Sequence, residues 1–364
     1  MKKIQLTCAH AIVKYLISQK ILVDGKKLPL FAGAFGIFGH GNVACLGQAL
    51  EENKKELPTW RGHHEQNMAL TGIAFSRAKR RKQIFVATSS VGPGSTNMLT
   101  AAAVAMSNRL PMLFLPGDTY ANRMPDPVLQ QVEHFNNPNI TQNDAFKYVT
   151  RYFDRITRPE QILQTFPQAI QTMIDPADCG PACISLSQDV QGETFDYPEE
   201  FFNEKIHAIR RPRPDDYQIK QAADLIKKSK NPIIISGGGI FYSDAMKELS
   251  QFAKKHNIPT AQTVMGYSTM KKDDPYFLGA IGGFGGKAPN DFMKKTDLAI
   301  AIGTKLADFT TGSWTNFENP NFKLVSINVS RFDANKHMAQ SIVGDAKVCI
   351  QDLTVALGSW KASD

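Results

Sequence analysis

Glu65 opens the segment EQNMALTGIAFSRA with a carboxylate on what reads as an apolar face. Met68, Ala69 and Gly72 follow it at three, four and seven residues, and helical geometry stacks those positions on one side. A carboxylate on a buried face is expensive unless it is paired or has a task. The plainer reading is an acid at a helix start, favoured there by the helix dipole. Both readings predict a helix over 65–78, with the basic run Arg77 to Lys82 at its far end facing water.

Other residue types with chemical potential form weaker patterns. GIFGHGN (36–42) follows an expected strand and could hold an anion or a flat ring. SGGGI (236–240) resembles part of a dinucleotide fingerprint, but position 242 is Tyr where the last glycine would stand. The histidines at 10, 40, 63, 64 and 134 show no metal-ligand spacing, and His63 and His64 point to different faces of any regular element. There is no G-x-S-x-G elbow, no P-loop, and no pairing of acids with Asn of the kind that holds Mg2+ and a diphosphate. No metal-ligating residue is therefore expected. The five cysteines (8, 45, 179, 183, 349) are odd in number and lack paired spacing, which points to a reducing, cytoplasmic setting.

These residues must be placed by elements that the apolar pattern outlines. With 364 residues, 42% hydrophobic and 21% charged, the chain reads as globular with about two domains. The net charge of +8 is scattered, so no nucleic-acid partner is expected. The amino-terminal MKKIQLTCAHAIVKYLIS reads as an amphipathic helix, not a signal peptide, and no apolar run reaches membrane-spanning length. Strands are expected at 28–36, 57–60, 82–90, 110–118 and 180–190, with helices at 42–53, 65–78, 96–108 and 158–174 between them. The 96–108 helix is apolar nearly all round and is expected to be buried. A Pro-rich, charged stretch at 191–215 reads as a linker. A second alternation follows, with helices at 216–229, 243–256 and 288–295, strands at 231–240, 259–266, 297–306 and 322–330, and a helical tail. Continuous apolar strands separated by helices argue for mainly parallel sheets covered on both faces. The expected fold is thus α/β, two doubly wound domains at 1–190 and 216–364.

Taken together, the motifs are more specific than any one of them. A glycine turn follows the first strand, and a glutamate starts a helix in the context Arg61, Gly62, His63, His64, Glu65. Then comes SSVGPGSTNMLTAAAVAMSNRLPMLFLPGD (89–118). This succession resembles the pyrimidine-binding domain of thiamine-diphosphate enzymes of the acetohydroxyacid synthase and pyruvate oxidase type. Arg61, His64, Glu65, Gly92, Pro93, Gly94 and Asn97 match the family pattern, while Val91 stands where the family has a glycine. NPIIISGGGI, AQTVMGYSTM, DLAIAIGTKLADFTTGSW and KLVSINVS resemble the family's central domain, with no sign of a need for FAD.

The resemblance implies thiamine diphosphate and Mg2+ as cofactors. It also implies a third, diphosphate-binding domain that both require and that lies outside these residues. Glu65 would be the catalytic carboxyl that hydrogen-bonds the aminopyrimidine ring. Gly36, Gly39, His40, Gly41, Asn42, Gly92, Pro93, Asn97, Gln130 and Gln131 would line the cofactor pocket. Such pockets lie between subunits, which implies a homodimer or homotetramer, with helix 96–108 near the docking face. FGIFGHGNVACLGQAL, RGHHEQNMAL and PDPVLQQVEHFNNPNITQNDAFKYVTRYFDRI look more like a hydrolase that opens a cyclic 1,2-diketone in inositol breakdown than like a synthase. The alternatives are a carboligase of the synthase type and a non-catalytic remnant, and the chain alone is expected to be inactive.

Overall fold

The computed structural model describes residues 2–363. The chain divides into two units, one ending at Ile209 and the other beginning at Arg210. In the first, strands run at Lys3–Thr7 (β1), Gln19–Val23 (β2), Lys26–Pro29 (β3), Phe31–Gly36 (β4), Thr59–Arg61 (β5), Ile84–Thr88 (β6), Leu113–Phe114 (β7), Gly117–Asp118 (β8), Tyr152–Ile156 (β9), Ala182–Ser187 (β10), Thr194–Pro198 (β11) and Lys205–His207 (β12). Seven of them form the main sheet in the order β5-β4-β6-β7-β10-β8, with β9 on the other side of β10, and its pairings are parallel. Every residue of β6 and β10 is buried, as expected of parallel strands covered on both faces.

The helix Glu65–Ala78 has the expected bounds. Met68, Ala69, Gly72, Ile73 and Ser76 form its buried face. It ends where Arg80 and Arg81 turn to positive φ, a conformation that a right-handed helix cannot continue through. Three expectations need correction. Strand 110–118 is broken into β7 and β8 at Pro116, which has no N–H for the ladder. The next helix is Leu99–Asn108. It buries Ala101, Ala102 and Ala105 but exposes Thr100, Val104 and Ser107, so it is covered on one side only. The stretch 191–215 is not a simple linker. β11 pairs antiparallel with β1, β12 pairs with β2, and Tyr197 is fully buried. The pairing with β1 also means that the amino-terminal helix begins only at Cys8, capped by Thr7.

The second unit contains Pro232–Ser236 (β13), Thr260–Gln262 (β14), Phe277–Ala280 (β15), Leu298–Ile302 (β16), Lys323–Asn328 (β17) and Gln340–Val343 (β18). They form one parallel sheet in the order β15-β14-β13-β16-β17-β18, which reverses direction between β13 and β16. Helices Asp216–Lys228, Met246–His256 and Ala346–Leu357 cover one face with Ile219, Ile226, Leu249, Phe252, Ile350 and Leu353. Strands β15 and β18 lie outside the expected strands, being only four residues each, with Gly279 inside β15 and two polar residues opening β18. No helix of the described residues is long and apolar enough to cross a membrane.

Candidate functional site

The carboxyl ends of β4, β6 and β8 are neighbours, and the loops leaving them carry most of the sequence-predicted residues. Glu65 is the first residue of its helix, half-buried, with Met68 and Ala69 buried behind it. The residue before it, His64, makes no side-chain cap. Glu65 does more than favour a helix start: its Oε2 accepts a 2.7 Å hydrogen bond from Nδ2 of Asn97, on another segment. The same Asn97 nitrogen lies 3.4 Å from Nε2 of His64. Among the described residues no hydrogen bond reaches Glu65 Oε1. A Cβ built on Gly94 would lie 3.3 Å from that oxygen and 2.5 Å from Ser90 Oγ. The glycine at 94 therefore leaves the approach to Oε1 open.

The turn after β6 brings these groups together. Gly92 has φ +71°, and a Cβ there would overlap the carbonyl oxygen of Gln130. Only glycine satisfies both conditions. Pro93 starts the short helix Pro93–Thr96, whose C-cap is Asn97. Val91, standing where the family has glycine, is fully buried, and its N–H donates to the His40 carbonyl at 2.9 Å. The 36–42 loop is thereby tied to the 91–95 turn. Gly39 lies against Ser90, and Gly41 against Val91 and Gly117. Asn42 is buried and spends its amide on the loop and the end of β6, accepting from Gly39 N and donating to Ile37 O and Thr88 Oγ1. Gly36 lies under the Phe38 ring. Gln130 reaches the site through its backbone, and its side chain is exposed. Gln131 folds back on its own loop, its Oε1 accepting from Val128 N.

Behind the turn lies a polar network that sequence reasoning missed. Ser95 Oγ donates to Asn143 Oδ1. Asn143 Nδ2 donates to Gly117 O at 2.9 Å and to Ser185 Oγ at 2.7 Å. Ser185 Oγ donates to Asp118 Oδ2, which also receives Arg155 Nε at 2.7 Å. Arg155 Nη2 donates to Thr141 Oγ1 and Asp144 Oδ2. Ser95, Asp118, Asn143 and Ser185 are fully buried. Burial alone would raise the Asp144 carboxyl, but hydrogen bonds from Lys147, Arg155 and the Thr141 backbone outweigh it and hold the group below the usual carboxylate range. An acid closing the apolar strand LPMLFLPGD was the one available signal.

The glycine turn of the second unit is built differently. Gly237 N and Gly239 N donate to Ile302 O and Gly303 O, both at 2.9 Å. A Cβ on Gly239 would lie 2.5 Å from Gly303 Cα. These amides are spent on the neighbouring strand end, as a tight strand-to-helix turn requires. Among the described residues no three His, Cys, Asp or Glu side chains stand close enough to hold a metal ion.

Comparison with known proteins agrees with this architecture. Residues 31–137 match the model described as thiamine pyrophosphate enzyme, N-terminal TPP binding domain, and residues 219–353 match that of the thiamine pyrophosphate enzyme central domain. The first match contains Glu65, Asn97 and every other residue expected to line the pocket. A 3D-(3,5/4)-trihydroxycyclohexane-1,2-dione hydrolase from Clostridium botulinum is 47% identical over 353 residues, covering 97% of this chain and 55% of that protein. One from Bacillus cereus gives the same figures. One from Clostridium tetani is 47% identical over 348 residues, 96% of this chain and 54% of that protein. The chain thus spans about half the length of the curated relatives it matches. With a matching domain in each unit, the chain belongs to the thiamine pyrophosphate enzymes, of which it carries the N-terminal and central domains.

Proposed function

We propose that the first unit supplies the pyrimidine-side half of an active site in which a thiamine-diphosphate-dependent hydrolase opens a cyclic 1,2-diketone. One observation carries the reading: a half-buried carboxyl with Oε2 held by Asn97 and Oε1 left open over Gly94. That arrangement suits a planar aminopyrimidine ring, which needs one carboxyl oxygen within hydrogen-bond reach. When bound, thiamine diphosphate supplies a carbon nucleophile and an electron sink. Glu65 would hold or return the ring proton at Oε1. Asn97 would keep the carboxyl turned toward the ring, and Gly94 would admit it. The 36–42 loop and the Gln130 backbone would exclude water from its edges.

The names of the relatives support a trihydroxylated cyclohexane-1,2-dione as substrate, and we extend the reading to a place in inositol breakdown. Mg2+ would accompany the diphosphate, and no residue of this chain is assigned to it. We extend the reading to a homo-oligomer working in the cytoplasm, in keeping with five cysteines free of disulfides. The test is product analysis with the complete enzyme, thiamine diphosphate and Mg2+. The cyclic dione should yield a ring-opened deoxy-uronic acid, and pyruvate should yield no acetohydroxy acid. The reverse outcome would favour a carboligase.

A further inference from the structure

We propose that Asn97 is the positioning residue for the Glu65 carboxyl, and that Asn143 sets Asn97 in place through Ser95. The inference rests on Glu65 as the proton-handling group proposed above, and it deepens that reading.

A glutamate at the first position of a helix has no intrinsic reason to adopt one orientation. Its three side-chain torsions are ordinary rotamers, and the carboxyl can turn to water. Here Asn97 Nδ2 donates to one specific oxygen at 2.7 Å. That bond fixes the roll of the carboxyl, so Oε2 is occupied and Oε1 is the oxygen presented over Gly94. An amide can do this only if it is itself held. Asn97 ends the four-residue helix Pro93–Thr96, and its backbone N–H donates to Pro93 O at 3.0 Å. So short a helix has little rigidity of its own.

What fixes it is Ser95, two residues earlier, buried and bonded to Asn143. Asn143 uses its amide oxygen for Ser95 and its nitrogen for Gly117 O and Ser185 Oγ. Gly117 opens β8 and Ser185 lies within β10 just before the residues that pair with β8, and Asp118 beside them is clamped by Arg155. A buried polar network whose members are satisfied has few alternative arrangements. The chain of contacts therefore runs from the sheet end through Asn143, Ser95 and Asn97 to Glu65.

The account separates positioning from packing. Asn97→Asp keeps the shape of the side chain but removes the donor and sets a like charge against Glu65. A packing role predicts that Asn97→Asp is milder than Asn97→Ala; a donor role predicts the opposite. The first experiment needs no cofactor. Unfolding midpoints at pH 8 are compared for the full chain, Glu65→Gln, Asn97→Asp and the double variant. Asn97→Asp should lower the midpoint by a few degrees. Adding Glu65→Gln, whose amide can donate in reverse to the carboxylate introduced by Asn97→Asp, should recover at least half of that loss. The Ser95→Ala background, which removes only the link to Asn143, should cut this coupling by half or more. Additive shifts, or coupling undiminished in Ser95→Ala, would overturn the proposal.

The second readout is turnover of the complete enzyme. Asn97→Asp should have a lower kcat than Asn97→Ala, with KM for the dione unchanged within about threefold. Asn97→Asp at parental turnover would also refute the role. Thermal coupling present while Glu65→Gln turns over normally would uphold the positioning and remove the proposed function instead.

Discussion

Each unit carries a glycine turn at the carboxyl end of a buried parallel strand, 91–95 after β6 and 236–240 after β13, yet the two turns serve different ends. In the second unit, glycine meets glycine: Gly239 and Gly303 are so close that a Cβ on either would reach within about 2.6 Å of the other's Cα, and the turn's amides are consumed by Ile302 and Gly303. In the first, Gly94 faces side chains, Ser90 Oγ and Glu65 Oε1, and one carboxyl oxygen keeps its capacity to accept. A glycine turn after a parallel strand is a general way to bring backbones close. It becomes a candidate site when it borders a polar side chain with unused hydrogen-bonding capacity. The supports differ too: buried charge behind the first turn, backbone contact behind the second.

This contrast can be broken from either side. Arg155→Met should cause the largest loss of stability. It leaves Asp118, fully buried, without its cation, at a cost of about 3–5 kcal/mol. Urea unfolding of the first unit measures it, and a loss below about 1 kcal/mol would mean that the network does not hold this strand end.

Acid should come next, and it should act on both units. His207 is buried, its Nε2 2.9 Å from Gln19 Oε1, and burial followed by the nearby Lys205 charge pushes its pKa from 6.5 down to about 4. The unfolded chain takes up that proton near pH 6.5 and the folded chain only near pH 4. Stability is therefore intact above pH 6.5 and falls as pH drops toward 4, by roughly 2–3 kcal/mol for this group. His256 in the second unit, whose Nδ1 contacts Trp360 O, is lowered by burial and adds in the same direction. His207→Gln should flatten the pH 4–6.5 limb for the first unit, and an unchanged slope would show that the titration lies elsewhere.

Gly237→Ala should cost about 1–3 kcal/mol, because its Cβ would overlap the Gly303 carbonyl and Thr304. It should leave turnover per folded molecule unaltered. Gly94→Ala should cost the least stability, below about 1 kcal/mol, since the Ser90 hydroxyl can rotate away. It should nevertheless lower turnover at least tenfold by crowding Oε1. A ranking in which Gly237→Ala impairs turnover and Gly94→Ala does not would reverse the assignment of the two turns.

The helix from Glu65 to Ala78 was legible because the apolar residues at 68, 69, 72 and 73 keep one period, and basic residues follow its end. Glu65 stood out as an acid on that face. Its partner did not, because Asn97 is 32 residues away in sequence and meets it only through the pairing of β4, β5 and β6. Asn97 entered the expectations through the family resemblance alone. Asn143 and Ser185 were invisible for the same reason: each is polar in a region that locally reads as loop or apolar strand, and their value lies in contacts across the sheet end. The break at Pro116 could have been read from proline chemistry. The stretch 191–209 misled because prolines and charges mark linkers and edge strands alike, and nothing local reveals the pairing of β11 with β1.

The central claim is that the Glu65 carboxyl, held by Asn97, governs proton removal from the bound cofactor. Its most direct test is the rate of hydrogen–deuterium exchange at the thiazolium C2 position of thiamine diphosphate bound to the complete enzyme. The measurement compares the parent with Glu65→Gln, after equal melting behaviour has been established for the two. The account predicts exchange slowed at least 100-fold, about 2.7 kcal/mol of barrier. Exchange within tenfold of the parent would contradict it.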